Sequence, residues 1–382
     1  IVEGTRPMSV SVPGSSTRYI VGWLGGTPVD GFWVGAAYRA AVGVTMAVSA
    51  WFSDRVGRKR FLLLTIVGFA LFTTLCGFAR GIYELVLWRV LQGVAGGGMV
   101  PASQGVILDA FPKDRQSLPM ALFGAACFGG IFAGPALGGY LTDALSWRWV
   151  FLVAVPPAVV SLAAVALVVH DPPALRAKRA VLLSRPVRFD YAGFALIVVG
   201  VVSLLVFAGK GQEWDWFRDP FGRVQAACAG AVLGLGLALC RELRAAEPLV
   251  DLRPFADWHF TACSLAMGFG YGLLYASTAA LGPLLASLFG YTATWTGIVQ
   301  APAAVIGIPA LLAVSWLIAR GMDGRRLMLV GVVIVAGGFY WMSQMNVYLS
   351  PGEIATPRAV QVFGLILILI PLMSTAYQSV PR

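Results

Sequence analysis

Eleven apolar runs, most of them about twenty residues or longer, recur along this 382-residue chain and leave little between them. They lie near residues 31–52, 61–79, 84–108, 117–140, 149–169, 190–209, 224–240, 258–285, 294–318, 327–345 and 359–379. A helix needs roughly 20 mostly apolar residues to cross a bilayer, so the pattern predicts eleven spans. The runs are continuously apolar rather than alternating at period two, which argues against a β-barrel. Composition agrees: 58% of residues are hydrophobic and 12% charged, where a soluble domain carries roughly 25% charged residues. The 45 Gly and 22 Pro are scattered through the runs rather than gathered in linkers. Soluble, disordered, collagen-like and disulfide-scaffold readings fail, and an all-α polytopic membrane protein remains.

The basic residues test this count. If the loop after the first run faces the cytoplasm, seventeen Lys and Arg fall in the loops of that side, from Arg55, Arg58, Lys59 and Arg60 through to Arg320, Arg325 and Arg326. The opposite side receives six: Arg80, Arg148, Lys210, Arg218, Arg223 and Arg358. A miscounted span would scramble that asymmetry. The same short clusters explain the net charge of +10 without nucleic acid. The five cysteines, Cys76, Cys127, Cys228, Cys240 and Cys263, show no metal or redox spacing and read as small hydrophobes. Residues 1–30 hold Arg6, Pro7, Pro13 and Arg18, contain no long apolar run and do not read as a signal peptide. With Ile1 first and Arg382 directly after an apolar run, both ends read as cut.

Two segments echo each other. Trp51-Phe52-Ser53-Asp54-Arg55-Val56-Gly57-Arg58-Lys59-Arg60 closes one span, and Trp316-Leu317-Ile318-Ala319-Arg320-Gly321-Met322-Asp323-Gly324-Arg325-Arg326 closes another. An Arg-x-x-Gln follows each, Arg89 to Gln92 and Arg358 to Gln361. Repeated halves about a midplane site are common in secondary transporters. No Walker-type loop, paired carboxylate, nucleophile–His pair or metal-ligand cluster is present, which speaks against an ATP-driven pump or a membrane enzyme and gives no metal or cofactor.

The cluster Asp54, Arg55, Gly57, Arg58 and Lys59 resembles the Gly-x-x-x-Asp-Arg-x-Gly-Arg-Lys signature of the major facilitator superfamily, with Ala50 in place of the leading Gly. Arg89, Gln92 and Gly93 resemble the fourth-helix Arg-x-x-Gln-Gly motif. Gly130, Gly134, Pro135, Gly138 and Gly139 resemble the fifth-helix antiporter motif, followed by Trp147-Arg148-Trp149-Val150-Phe151 as in the fourteen-span drug:proton antiporter class. Thr27-Pro28-Val29-Asp30, Trp33, Tyr38 and Glu247-Pro248-Leu249-Val250-Asp251-Leu252 also resemble that class.

The resemblance implies a major facilitator fold of two pseudo-repeated bundles joined by two extra helices. Residues 1–169 would form the N-terminal bundle with most of its first helix missing. Residues 170–256 would carry the extra helices, and residues 257–382 the C-terminal bundle without its last two. It implies alternating-access export of amphipathic, drug-like molecules against protons, in the inner membrane, with lipid and small-molecule substrate as partners and a periplasmic adaptor left open. A transporter of another small solute, or a transporter-like receptor, are the alternatives.

The physical roles follow. Asp54 with Asp114 and Arg115 of the next loop would form a charge network closing the inner side. Arg89 either snorkels to the outer interface or stands as a fixed cation facing the cavity. The glycines with Pro135 would permit close packing and bending. No Asp or Glu falls in the central part of a span, so Asp30 and Glu3 are the candidates for proton coupling.

Overall fold

Five of the spans begin where the sequence supplies side-chain caps for free backbone N–H groups, which a bilayer cannot solvate. In the computed structural model, which describes residues 16–112, 117–184, 189–245, 248–250, 252–346 and 348–376, all regular structure is helical. Helix α1 covers residues 16–23. It is followed by α2 (Pro28–Val56), α3 (Arg58–Phe78), α4 (Ile82–Gly96), α5 (Met99–Ala110), α6 (Ser117–Ala144), α7 (Trp149–Leu152), α8 (Val155–Val168) and α9 (Pro173–Leu183). Then come α10 (Tyr191–Lys210), α11 (Arg223–Arg244), α12 (Trp258–Leu288), α13 (Ala293–Ala319), α14 (Gly324–Ser343) and α15 (Pro351–Ala376).

Thr27 and Asp30 form a reciprocal capping box at α2, with Pro28 in the first turn. Asp190, Asp257, Thr292 and Asp323 cap α10, α12, α13 and α14. Eleven helical stretches among the described residues are long and apolar enough to span, α4–α5 and α7–α8 each counting as one. These match the eleven runs of the sequence.

The last span differs from expectation. The apolar run starts near 359, but α15 starts at Pro351 because Glu353 accepts from the Ser350 backbone N–H and hydroxyl, both at 2.7 Å. Arg358, counted above with the outer loops, is therefore a helix-interior residue only 1% exposed. A charge interrupts an apolar run in sequence without interrupting the helix.

The chain divides into two compact units. One comprises Gly25–Ala110 and Ala158–Arg253. In it α4 packs against α2 and α3, while α10 and α11 pair with each other and α10 also touches α2. Gly200 and Gly234 set α10 backbone against α11 backbone, the small-residue packing expected between membrane helices. The other comprises Ile1–Leu24, Phe111–Pro157 and Pro254–Arg382. Here α13 packs on α6 and α15, and α15 also packs on α14 and α12. Its core gathers Leu274, Leu311, Val335, Val362, Leu365, Ile366 and Leu369. Short α1 buries Ile20 and Ser16 in this unit, with the Ser16 hydroxyl 3.3 Å from the Gly138 carbonyl that it donates to.

Candidate functional site

Among the described residues, four clusters hold the motif residues, and each includes a close approach that glycine permits. The first is the α2–α3 turn. Gly57 has φ +93°, and a Cβ there would lie 3.0 Å from Asp171 Oδ2 and 3.3 Å from Arg179 Nη1. Only glycine suits that backbone and that space. The turn is gripped from both flanks: Asp171 accepts from the Lys59 backbone N–H at 3.0 Å, and Arg179 Nε donates to the Arg55 carbonyl at 2.7 Å. Lys59 Nζ donates to the Ala166 carbonyl at 2.7 Å, and the Arg55 guanidinium lies 4.1 Å from the Trp51 ring centre. Arg58 donates to the Gly105 carbonyl at 2.9 Å and forms an ion pair with Asp109. Asp54, Arg58, Asp171, Arg176 and Arg179 line a cavity of about 300 Å³.

Asp114 and Arg115, the expected partners of this turn, lie outside the described residues, as does Glu3. The acid that meets Arg58 is Asp109, at the end of α5. Sequence reasoning missed it, together with Asp171 and Arg179. The available signal was a single carboxylate closing an apolar run on the Arg-rich side.

The second cluster is buried. Arg89 is 1% and Gln92 0% exposed. Arg89 Nε donates to the Val34 carbonyl at 3.0 Å and Nη1 to Gln92 Oε1 at 2.8 Å. The guanidinium sits 4.4 Å from the Tyr38 ring centre, and Gln92 Nε2 donates to Thr73 Oγ1 at 2.6 Å. Arg89 therefore points into the protein rather than to the interface. A charge inside a span costs about 2.5–3.5 kcal/mol on insertion scales. Charge-assisted hydrogen bonds of about 1.5–3 kcal/mol each, with the aromatic face, are enough to offset it. Gly93 makes the geometry possible, since a Cβ there would lie 2.6 Å from the Tyr38 carbonyl oxygen.

The third cluster lies along α6. Gly130, Gly134, Pro135, Gly138 and Gly139 are all buried. A Cβ on Gly139 would run into the Ala293 carbonyl, and one on Gly297 of α13 into the Pro135 carbonyl. The two backbones thus touch directly over the motif. Asp143 holds the start of α13, accepting from the Thr294 backbone N–H at 2.8 Å and hydroxyl at 2.7 Å. Just beyond, the Arg148 guanidinium lies between the Trp23 and Trp147 rings at 4.2 and 4.6 Å.

The fourth is the echo of the second. Arg358 donates to Gln361 Oε1 at 2.6 Å, to Ser277 Oγ at 2.7 Å, and to Thr278 Oγ1. Asp30, by contrast, is bound into the capping box at the head of α2, its Oδ2 2.8 Å from both the Thr27 backbone nitrogen and hydroxyl.

The described residues thus combine helical spans in two units, a glycine turn gripped by charges, and buried Arg/Gln pairs in both units. The Major Facilitator Superfamily model matches residues 8–382, and the chain belongs to that family. It is 30% identical over 364 residues to the multidrug export protein EmrB of Escherichia coli K12, covering 95% of this chain and 69% of that protein. It is 29% identical over 375 residues to the fatty acid resistance protein FarB of Neisseria gonorrhoeae, covering 97% and 70%. Among solved structures, a POT family transporter in complex with a thioalcohol-conjugated peptide shares the fold, with TM-score 0.66 and 15% identity over the whole of this chain and 83% of that one. The chain is a multi-pass membrane transporter of this superfamily.

Proposed function

We propose that the protein exports amphipathic, drug-like molecules from the cell across the inner membrane in exchange for protons, by alternating access. The observation that carries this reading is the similarity to EmrB, a multidrug export protein, along 95% of the chain. The similarity to FarB extends the substrate range to be tested to acidic amphiphiles. We further assign residues 1–169 and 257–382 to two bundles and residues 170–256 to the linking helices of the fourteen-span class.

In this mechanism the Asp54–Arg58 turn, with Asp109, Asp171 and Arg179, closes the Arg-rich side in one state and separates in the other. The α6 glycine face bends and slides against its partner helix. Arg89 is a fixed cation whose field tunes a proton-carrying group, and Asp30 and Glu3 are the groups proposed to take the proton. The test is dye efflux from cells that lack their own pumps and carry the full reading frame, with and without a protonophore. Efflux that the protonophore abolishes supports the reading. Efflux unaffected by it removes proton coupling, and Asp30→Asn with Glu3→Gln leaving pH-driven efflux intact removes those two residues. Asp54→Asn should lower transport while membrane insertion stays normal.

A further inference from the structure

The two Arg-x-x-Gln pairs look alike in sequence and differ in how completely they are satisfied. In the first, Arg89 Nε meets the Val34 carbonyl, and Gln92 Nε2 meets Thr73. In the second, Arg358 Nε and Gln361 Nε2 are buried with no hydrogen-bond partner. A buried donor without an acceptor is a costly state that native proteins avoid. Here there are two, on side chains already bonded to each other at 2.6 Å. No Asp or Glu among the described residues forms an ion pair with Arg358. Its three acceptors, Gln361, Ser277 and Thr278, are all neutral.

The placement is imposed by the helices. The Ser350–Glu353 cap starts α15 early enough to carry Arg358 inside it, and the i, i+3 spacing puts Gln361 on the same face. Gly338 on α14 lets the helices close up at Gln361, where an added Cβ would sit 3.2 Å from the Gln361 Cα. Arg358 and Gln361 are 1% and 0% exposed, while Ser277 and Thr278 on α12 are only half-buried. The cluster thus has a positive charge, two unused N–H donors and two half-buried hydroxyls on its α12 side. Its missing component is an acceptor that carries negative charge.

We propose that Arg358, Gln361, Ser277 and Thr278 form a subsite for the carboxylate headgroup of an anionic amphiphile. The subsite deepens the export reading by naming one class of substrate, and it rests on that reading for its place in transport. The carboxylate accepts from Arg358 Nε–H and Gln361 Nε2–H and neutralises the guanidinium, and its apolar tail remains in apolar surroundings. The Arg89 pair, already saturated, is no such site.

The experiment uses the full protein purified in detergent and two probes with the same tail and opposite heads, decanoate and decyltrimethylammonium, below their micellar concentrations. Binding is read by tryptophan fluorescence and thermal stability. Arg358→Gln should weaken decanoate at least tenfold and change decyltrimethylammonium less than threefold. Gln361→Glu places a carboxylate against the guanidinium, so it should raise thermal stability and still weaken decanoate at least tenfold. That second variant keeps the test open if Arg358→Gln does not fold. Unchanged decanoate binding in a folded Gln361→Glu protein, or equal weakening of both probes, overturns the subsite. Because binding is measured without transport, decanoate binding through Arg358 in a protein that exports nothing would sink only the export reading. Efflux of cationic dyes with no Arg358-dependent decanoate binding would sink only the subsite.

Discussion

At the scale of single residues, the two buried arginines Arg89 and Arg358 and the glycine between Arg55 and Arg58 are the informative positions. Gly57 occupies a region of backbone space that costs a side-chain-bearing residue about 1–3 kcal/mol. Its missing side chain is also where Asp171 and Arg179 reach the turn. Gly57→Ala should lower the melting temperature and reduce transport. Gly81→Ala, at a position with nothing within 4 Å and ordinary φ, should do neither. A melting curve for each, alongside efflux, separates the two. Asp109 offers a sharper test of the turn. Asp109→Arg should abolish transport by setting two cations against each other, and adding Arg58→Asp should recover a measurable part of it. If the double variant is as inactive as the single one, the ion pair is not what the transport cycle uses. The spacing of Asp54, Arg55, Gly57 and Arg58 was legible in the sequence. Asp109, Asp171 and Arg179 were not, because the end of α5, the α8–α9 connection and α9 lie tens of residues away in the chain.

Elements meet through surfaces that glycine makes flat. On α6 the sequence marks a run of small residues, and in the structure a Cβ added at Gly139 would strike the Ala293 carbonyl. Gly139→Ala should cost at least about 1–3 kcal/mol of stability as an overpacked contact and reduce transport. Gly236→Ala on α11, where nothing lies within 4 Å, should be silent. Normal efflux by Gly139→Ala would show that this helix face does not need backbone contact. The turn joining α10 to α11 supplies a prediction in pH. Hydrogen bonds from Arg223, reinforced by backbone N–H groups of Phe221, Arg223 and Val224, hold the Asp219 carboxyl down to about 2 from its ordinary 3.8. The folded value lies below the unfolded one, so the stabilisation is fully present above about pH 4 and is lost as pH falls through about 2. The melting-temperature difference between wild type and Asp219→Asn should therefore be constant from pH 8 to 5 and shrink only below about pH 4. A difference that changes between pH 8 and 5 would mean another group carries the effect. Across the same helix pair, Arg241 holds the Asp190 carboxyl below its ordinary range in the same sense.

At the scale of the whole molecule, the asymmetry of basic residues gives one prediction independent of transport. Ser184, after α9, and Gln212, after α10, fall on opposite sides of the membrane in that scheme. Single cysteines placed there in a background without the five native ones should differ in labelling by a membrane-impermeant thiol reagent in intact cells. Gln212→Cys should label and Ser184→Cys should not, and the reverse pattern or equal labelling would invert or break the assigned topology. The family assignment, by contrast, stands on similarity along nearly the full chain.

The sequence alone marked eleven segments long and apolar enough to cross a membrane. Hydrophobic length is a property of each segment alone, and the bilayer reads it segment by segment. It also marked the turn, the α6 glycines and both Arg-x-x-Gln pairs, because each is a local pattern of charge or missing volume. It could not tell the two pairs apart. Arg89 and Arg358 have the same neighbour three residues on, yet one finds a carbonyl and an aromatic ring on α2, while the other finds two hydroxyls on α12 and is left with a free donor. Which partners a buried cation meets depends on how separate helices pack, and packing is decided only when the whole chain has folded.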